Sequence, residues 1–375
     1  MKMAIILEAD IHHVRGEFTA VHSRVKSLKE NGSLDVDAFV VGQYYGPLST
    51  WLGKYGHADR PDNFDLEGVR YRCLWYRRSP LDYLARKLLG RTLGIETRKV
   101  RRFARMLGGY DLVLAHALKV GLAALDVQSA CGIPAIVTWH GSSIHTDPFN
   151  DSLVMSCTRR LLEGARMNLF VSGPLMEKAR TMTESFEGKV SHNGVDTSFF
   201  TSESPLDGRG HEVAFVGNCL PVKNVGFLPV LFEGIRSRCE DARFHIVGDG
   251  SFEDFFKDSG LDVHFLGNMN REDMPAIYNK MSLVVMPSLN EGLPMTCLEA
   301  TACGCSFVGS RVGGIADVVG EENTVPFSES FEEDFISLCV SRLLNPRAVH
   351  LPDGFSLDEI VGEETELLMS IIDGR

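Results

Sequence analysis

The sequence predicts an α/β protein made of two doubly wound, parallel-sheet domains in series. Three observations predict it. Short apolar runs alternate with amphipathic segments along the whole chain, the pattern of parallel strands joined by crossover helices. The 375 residues are enough for two separate cores. A polar, turn-rich stretch, Thr201-Ser-Glu-Ser-Pro-Leu-Asp-Gly-Arg-Gly210, divides two halves of opposite charge. Residues 1–200 carry 26 Lys and Arg against 21 Asp and Glu, whereas residues 201–375 carry 12 against 29. The net charge of −12 therefore conceals a basic half and a strongly acidic one.

The elements follow in order. Met3 to Ala9 is an apolar run that ends in acidic residues, and it reads as a first strand. Glu17 to Asn31 places Val21, Val25 and Leu28 on one helical face. Strands are expected at Val36–Val41, Val69–Tyr76, Asp111–Ala115, Ile133–Trp139, Met167–Ser172 and Lys189–Ser191, with one long basic helical region running to Leu107. After the polar stretch, the alternation restarts at Glu212–Gly217. It continues through Arg243–Val247, Val263–Leu266, Leu283–Met286 and Ser306–Gly309. Ser356 to Ile372 has the pattern of an amphipathic helix. The expected domains are 1–200 and 201–355, with a terminal helix at 356–375. In open α/β sheets ligands bind at the carboxyl ends of the strands, so two such domains place a site in an interdomain cleft.

Composition narrows the function. Hydrophobic residues at 44% and charged residues at 23% describe an ordinary globular protein. No apolar run approaches the ~20 residues needed to span a bilayer. The apolar stretch before Glu8 is too short for a signal peptide. Nine cysteines lie in scattered contexts without a Cys-x-x-Cys, the usage of a reducing cytoplasm. No sequence-local cluster of His, Cys and carboxylates has zinc spacing, so no metal is expected. Asp35-Val-Asp37 has the form of a metal-binding Asp-x-Asp, but it opens a strand and reads as solvent-facing.

The most informative stretch is Ser288-Leu-Asn-Glu291-Gly-Leu-Pro294-Met-Thr-Cys-Leu-Glu299-Ala-Thr-Ala-Cys-Gly304. It follows the apolar run Leu283–Met286. Pro294 suits a first helical position and Gly304 a helix stop. Glu291 then lies on a strand-to-helix loop and Glu299 in the helix. The N–H groups of Met295 and Thr296 point out of a helix N-terminus, where anions bind. Glu299 is the only charge between Glu291 and Arg311. A carboxylate in such apolar company needs donors, and the two hydroxyls of a ribose supply them.

The run from Pro287 to Val319, with Ser310-Arg-Val-Gly313-Gly314-Ile-Ala-Asp317-Val-Val, resembles the signature of the family 4 retaining glycosyltransferases of the GT-B fold. Matching positions are Pro287, Ser288, Glu291, Gly292, Glu299, Ala300, Ala302, Cys303, Gly304, Gly313, Gly314 and Asp317. Phe170-Val-Ser172, Asn193-Gly-Val-Asp196, Gly217 with Lys223, Gly248-Asp-Gly250 and Gly267 follow in family order. The first 130 residues match loosely. The resemblance implies two Rossmann-like domains facing across a cleft, with the C-terminal helix crossing back to the first. It also implies transfer of a sugar from a nucleoside diphosphate sugar with retention, without a cofactor or metal.

The site residues that it implies are these. Lys223 neutralises the departing diphosphate. Glu291 holds sugar hydroxyls, with Gly292 and Leu293 beside it, and Glu299 holds the ribose. The amides of Met295 and Thr296 face the phosphates. Asn268 and Met269 sit where the main chain meets the nucleobase. His140, in His140-Gly141 after the strand Ile136–Trp139, reaches the transferred sugar, with Ser142, Ser143 and His145 toward the acceptor side. Gly16 opens the first helix close to phosphate or sugar, with His12 and His13 before it. Asn218 stands where the family carries an arginine, and Arg15 or Arg311 would have to supply the missing charge. That departure keeps open a non-catalytic nucleotide-sugar-binding scaffold subunit, and a nucleotide-sugar hydrolase or epimerase of the same fold.

One segment lies outside the motif. Twelve cations between Arg70 and Arg105 face only Asp82 and Glu96, with leucines and aromatics interleaved. Basic amphipathic helices dock on anionic bilayers. No nucleic-acid-binding module is present. The expectation is a cytoplasmic hexosyltransferase of surface-polysaccharide synthesis, peripheral on the inner membrane face through residues 70–107. It would use a UDP-sugar, with GDP-mannose second, and a glycan or lipid-linked acceptor.

Overall fold

The computed structural model describes residues 1–11, 16–46 and 59–374. The chain divides into two compact units, Met1–His192 with Leu357–Arg375, and Asn193–Ser356. The first holds an eight-stranded sheet and the second a six-stranded one.

In unit 1 the strands are β1 (Lys2–Glu8), β2 (Asp35–Tyr44), β3 (Asn63–Leu66), β4 (Val69–Arg77), β5 (Leu112–His116), β6 (Ala135–Trp139), β7 (Met167–Phe170) and β8 (Gly188–Val190). Their order is β3-β4-β2-β1-β5-β6-β7-β8. All pairs are parallel except β3 with β4. β1 registers Ile5 against Ala38 and Leu114, and both its faces are buried, Met3, Ile5 and Leu7 in one core and Ala4 and Ile6 in another. That burial explains the unbroken apolar run in the sequence.

The last helix, Leu357–Ile372, belongs to unit 1, where Leu357, Val361, Leu368 and Ile371 join the core with Val21, Val25 and Leu28. One buried ion pair fixes it: Arg24 Nη1 lies 3.2 Å from Glu364 Oε2, and both side chains are almost wholly buried. Arg24 also donates to the His192 carbonyl at 2.7 Å.

In unit 2 the strands are β9 (Glu212–Val216), β10 (Arg243–Val247), β11 (Val263–Gly267), β12 (Leu283–Met286), β13 (Ser306–Ser310) and β14 (Thr324–Val325). The order β11-β10-β9-β12-β13-β14 is the doubly wound one, all parallel. Helices Leu228–Arg236 and Phe331–Leu344 cover one face through Leu231, Phe232, Ile235 and Phe335.

Two expectations are corrected. The polar stretch 201–210 is not the boundary, because Arg209 is buried inside unit 2. Arg209 donates to the carbonyls of Tyr278 and Met281 at 3.2 Å, and to those of Ser204 and Cys303 at 2.8 Å. The break falls at 192/193 instead. The basic region is not one long helix. Gly90 and Gly94 adopt φ of +63° and +69° and separate helix Pro80–Leu89 from helix Ile95–Arg101 and the 3-10 turn Arg102–Met106.

Removing one partner of the Arg24–Glu364 pair leaves an uncompensated buried charge. Glu364→Ala is expected to cost ~3–5 kcal/mol in urea unfolding, with Arg24→Met/Glu364→Leu recovering most of it. Equal losses in the single and double variants would show that the pair does not hold the helix.

Candidate functional site

In unit 2 the chain runs outward from β9 to β10 and β11, then returns on the other side through β12. The loops leaving β9 and β12 therefore diverge at the switch point of the sheet, where doubly wound folds bind ligands. Three main-chain contacts knit the strand ends together. The Gly217 amide donates to the Val247 carbonyl at 2.8 Å, Gly248 to Gly267 at 2.8 Å, and Cys219 to Asp249 at 2.8 Å. A Cβ on Gly248 would lie 2.0 Å from the Gly217 carbonyl oxygen, so only glycine permits this approach.

Lys223 closes the 3-10 turn Pro221–Lys223 after β9. Glu291 sits on the loop after β12. Its carboxylate oxygen Oε1 accepts from Lys223 Nζ at 2.6 Å. Leu289 donates its amide to the Val222 carbonyl at 2.8 Å, tying the two loops. From the far side, Gly314 donates to the Gly292 carbonyl at 2.7 Å. Gly313 has φ +54°, and a Cβ there would come within 2.2 Å of the Glu291 carbonyl oxygen. The Gly-Gly pair after β13 is thus a backbone seat for the Glu291 loop. Asn193 adds a third hold, its buried Nδ2 donating to the Leu293 carbonyl at 2.8 Å.

The helix that follows is Met295–Ala302. Pro294 is its extended N-cap residue, at φ −74° and ψ 131°, rather than the first helical position. Pro294 makes no side-chain cap bond, so among the described residues the amides of Met295 and Thr296 stay available. Gly304, at φ +73°, ends it as expected. Glu299 is buried in the helix, and burial raises its carboxyl pKa against the opposing effects of Tyr278 and Arg271. Tyr278 donates its hydroxyl to Glu299 Oε2 at 3.0 Å. Arg271 lies over the rings of Phe199 and Phe200, 5.2 and 5.5 Å from their centroids.

Asn218 does not offer a charge, and its Oδ1 accepts from the Asp249 amide at 3.1 Å, a loop-to-loop tie. Arg311 is engaged elsewhere: it bonds Thr324 Oγ1 at 3.1 Å and Glu321 Oε2 at 3.0 Å. Asn268 is exposed and Met269 half-buried just beyond β11.

In unit 1, His140 leaves β6 and His116 ends β5. His116 Nδ1 and His140 Nε2 are 2.9 Å apart. Burial holds the His116 pKa well below the ordinary histidine value, with help from His140 and Arg24. Burial and Arg24 push His140 down to about 3. Both rings are therefore neutral at pH 7, one donating to the other. Their outer nitrogens, His116 Nε2 and His140 Nδ1, are buried without a partner among the described residues. The next residue, Ala117, has φ +81° and ψ 172°, a strained conformation for a non-glycine residue. Gly16 opens helix Gly16–Asn31 with nothing within 4 Å of where its Cβ would be. His12, His13 and Arg15 lie outside the described residues.

Sequence reasoning missed Asn193 as a loop anchor, and also Tyr278, Arg271 and His116. Only Asn193 carried a signal, in its Asn-Gly-Val-Asp motif. The fold also brings together one His, Cys and carboxylate group that no sequence spacing shows. His211, Cys239 and Asp241 meet at the start of β9, with donor atoms within 4.8 Å of one another, and His211 Nδ1 lies 2.7 Å from Asp241 Oδ1. Of Asp35-Val-Asp37, Asp35 is exposed and Asp37 partly so, and Asp37 is engaged by Tyr110, which donates to it at 2.7 Å, and by Lys2 at 3.1 Å.

Residues 210–345 match the family described as Glycosyl transferases group 1, and residues 16–189 match the Glycosyl transferase 4-like domain. The putative teichuronic acid biosynthesis glycosyltransferase TuaC of Bacillus subtilis is 28% identical over 224 residues, 56% of each chain. The chain spans 56% to 62% of the length of the first curated relatives it matches. Sucrose-phosphate synthase from Thermosynechococcus elongatus superposes with a TM-score of 0.75 at 16% identity, covering 100% of both chains. Anabaena HepE, in complex with UDP and glucose, superposes with a TM-score of 0.69 at 16% identity, covering 98% of this chain and 100% of that one. At such identities the likeness establishes the fold.

Gly313→Ala is expected to displace the Glu291 loop and cost about 1–3 kcal/mol in thermal unfolding. An unchanged melting midpoint would mean that the loop does not rest on Gly313. The neutral histidine pair sets a pH dependence. Its folded pKa values are depressed, so unfolding takes up protons below the ordinary value of 6.5. Stability is full above pH 6.5 and falls from there toward about 3, and His140→Asn should flatten that slope. Melting midpoints measured across this range check it.

Proposed function

Given that the chain belongs to the group 1 glycosyltransferases of family 4 and has the GT-B fold, we propose that it is a retaining, metal-independent hexosyltransferase. It moves a hexose or N-acetylhexosamine from a nucleoside diphosphate sugar to a glycan or lipid-linked acceptor in surface-polysaccharide synthesis. One observation carries this reading: the Lys223–Glu291 pair, 2.6 Å long, at the switch point of unit 2 beside an uncapped helix N-terminus. UDP is favoured as the carrier because HepE is described with UDP and glucose. The polysaccharide role draws on the name of TuaC.

In the proposed reaction the bond from the sugar's anomeric carbon to the diphosphate oxygen breaks. A bond from the acceptor oxygen forms on the same face, and the acceptor's proton passes to the leaving diphosphate. Lys223 and the amides of Met295 and Thr296 stabilise the developing diphosphate charge. Lys223 has three donors, so it keeps Glu291 while it meets a phosphate. Glu291 then fixes sugar hydroxyls with its second oxygen. Glu299 receives ribose hydroxyls, already oriented by Tyr278. In unit 1, His140 is assigned to a sugar hydroxyl, which suits a neutral imidazole. The acceptor side is taken to work at an anionic membrane surface through the basic part of 70–107. No helix of the described residues is long and apolar enough to cross a membrane.

A second reading, a nucleotide-sugar-binding scaffold without turnover, is favoured by Asn218, whose side chain is spent on the Asp249 amide. Thermal unfolding with UDP, GDP or ADP, each with and without EDTA, tests the donor site. Ligand at 100 times its Kd stabilises by about 2.7 kcal/mol. UDP should raise the midpoint whether or not EDTA is present, and no response to any nucleotide overturns the donor site. Donor consumption separates enzyme from scaffold. Lys223→Ala and Glu291→Gln should each lower kcat by roughly 10²–10³-fold. A wild-type chain that binds UDP-sugar but never consumes it is the scaffold.

A further inference from the structure

The segment 70–107 divides into two parts in the folded protein. The arginines of its second part are partly used inside unit 1. Arg101 donates to both oxygens of Asp126 at 2.5 and 2.6 Å. The first part is different. Helix Pro80–Leu89 is held from beneath by Asp82, which accepts the Leu93 and Glu96 amides at 2.8 Å, and by buried Ala85. Its other apolar residues point outward. Leu81 is 58% exposed, Leu84 46%, Leu88 74% and Leu89 61%. The spacing 81, 84, 88 sets three of these leucines within about 60° of arc on the helix. Arg86, Lys87 and Arg91 are also exposed, and the one acidic residue of the helix, Asp82, is turned inward.

So large an exposed leucine row is not the surface of a solitary soluble protein. Its basic flank selects an anionic partner, and its shape is that of a helix lying in the headgroup plane. We propose that helix Pro80–Leu89 is the membrane-insertion element of this protein. Leu81, Leu84 and Leu88, with Leu89, enter the acyl boundary of an anionic bilayer, while Arg86, Lys87 and Arg91 meet lipid phosphates. This deepens the membrane-surface reading above and rests on it.

Topology gives the element a purpose. β4, β2, β1, β5 and β6 are parallel, so the helix that follows β4 rises from the same sheet edge as His116 and His140. An acceptor carried by a lipid is then presented at the edge where unit 1 holds its neutral histidines. The arginines at 98, 102 and 105 are not required for insertion, which separates this proposal from simple attraction by the whole basic segment.

The test is co-sedimentation of the full chain with phosphatidylglycerol/phosphatidylcholine vesicles, and with phosphatidylcholine alone. Wild type should bind the anionic vesicles. Leu84→Glu/Leu88→Glu should weaken that binding by more than about ten-fold. Each of Arg86→Gln and Lys87→Gln should weaken it by about five-fold. Arg98→Gln/Arg102→Gln should keep binding close to wild type. Both leucines are exposed, so unchanged melting midpoints will show that the variants fold. If the leucine variant binds like wild type while Arg98→Gln/Arg102→Gln does not, insertion is overturned and attraction by the basic segment remains. If wild type ignores vesicles, and runs as a dimer that Leu84→Glu/Leu88→Glu makes monomeric, the leucines join two copies and the proposal falls. Donor consumption without vesicles reads the transferase function separately, so either can fail alone.

Discussion

Unit 2 of this protein depends on close backbone contact between loops that leave a parallel sheet at its switch point. β9 and β12 are neighbours, but their connections run to opposite sides, so the loops diverge where they part. Glycine makes the gap narrow. Gly248 lies against the Gly217 carbonyl and Gly313 against the Glu291 carbonyl, in both cases closer than any Cβ allows. The short Lys223–Glu291 contact is a consequence of that packing, because Val222–Leu289 and Gly292–Gly314 bonds have already drawn the loops together. A salt bridge between long, mobile side chains is otherwise worth little. Here two backbone loops fix both partners, and preorganisation of that kind is what a charge-stabilising site needs.

The two units solve the placement of polar groups differently. Unit 2 keeps charge at its strand ends and buries Glu299 only with the Tyr278 hydroxyl on it. Unit 1 places two uncharged imidazoles at its strand ends and leaves their outer nitrogens unpaired among the described residues. A neutral donor–acceptor pair suits a hydroxyl, and a lysine beside amides suits a phosphate. The strained backbone at Ala117 carries the chain from β5, which ends at His116, into helix Leu118–Cys131. Strain of this sort persists only where the surrounding packing enforces it.

Much of this was legible in the sequence. The strands of unit 2 appear as apolar runs because parallel strands under helices are buried on both faces. The Glu291 loop, helix Met295–Ala302 and the glycine pair appear as one motif because they are nearly continuous in the chain. What misled was local polarity. The stretch 201–210 has the composition of a linker, but Arg209 finds four carbonyls and is buried. The basic region has a helical period, but Gly90 and Gly94 break it through left-handed backbone. Asn218, the departure from the family pattern, turns out to be a hydrogen-bonded loop tie.

The sequence by itself determined the alternating elements, the two sheets, and the loop that carries Glu291, because periodicity and turn chemistry act over a few neighbouring residues. Tertiary structure alone decided which distant side chains meet. Asn193 reaches Leu293 across 100 positions, Lys223 reaches Glu291 across 68, and His116 reaches His140 across 24. It also decided which face of helix Pro80–Leu89 remained exposed. Such pairings are set by the order of strands in a sheet and by the packing of helices on it, and no local pattern records either.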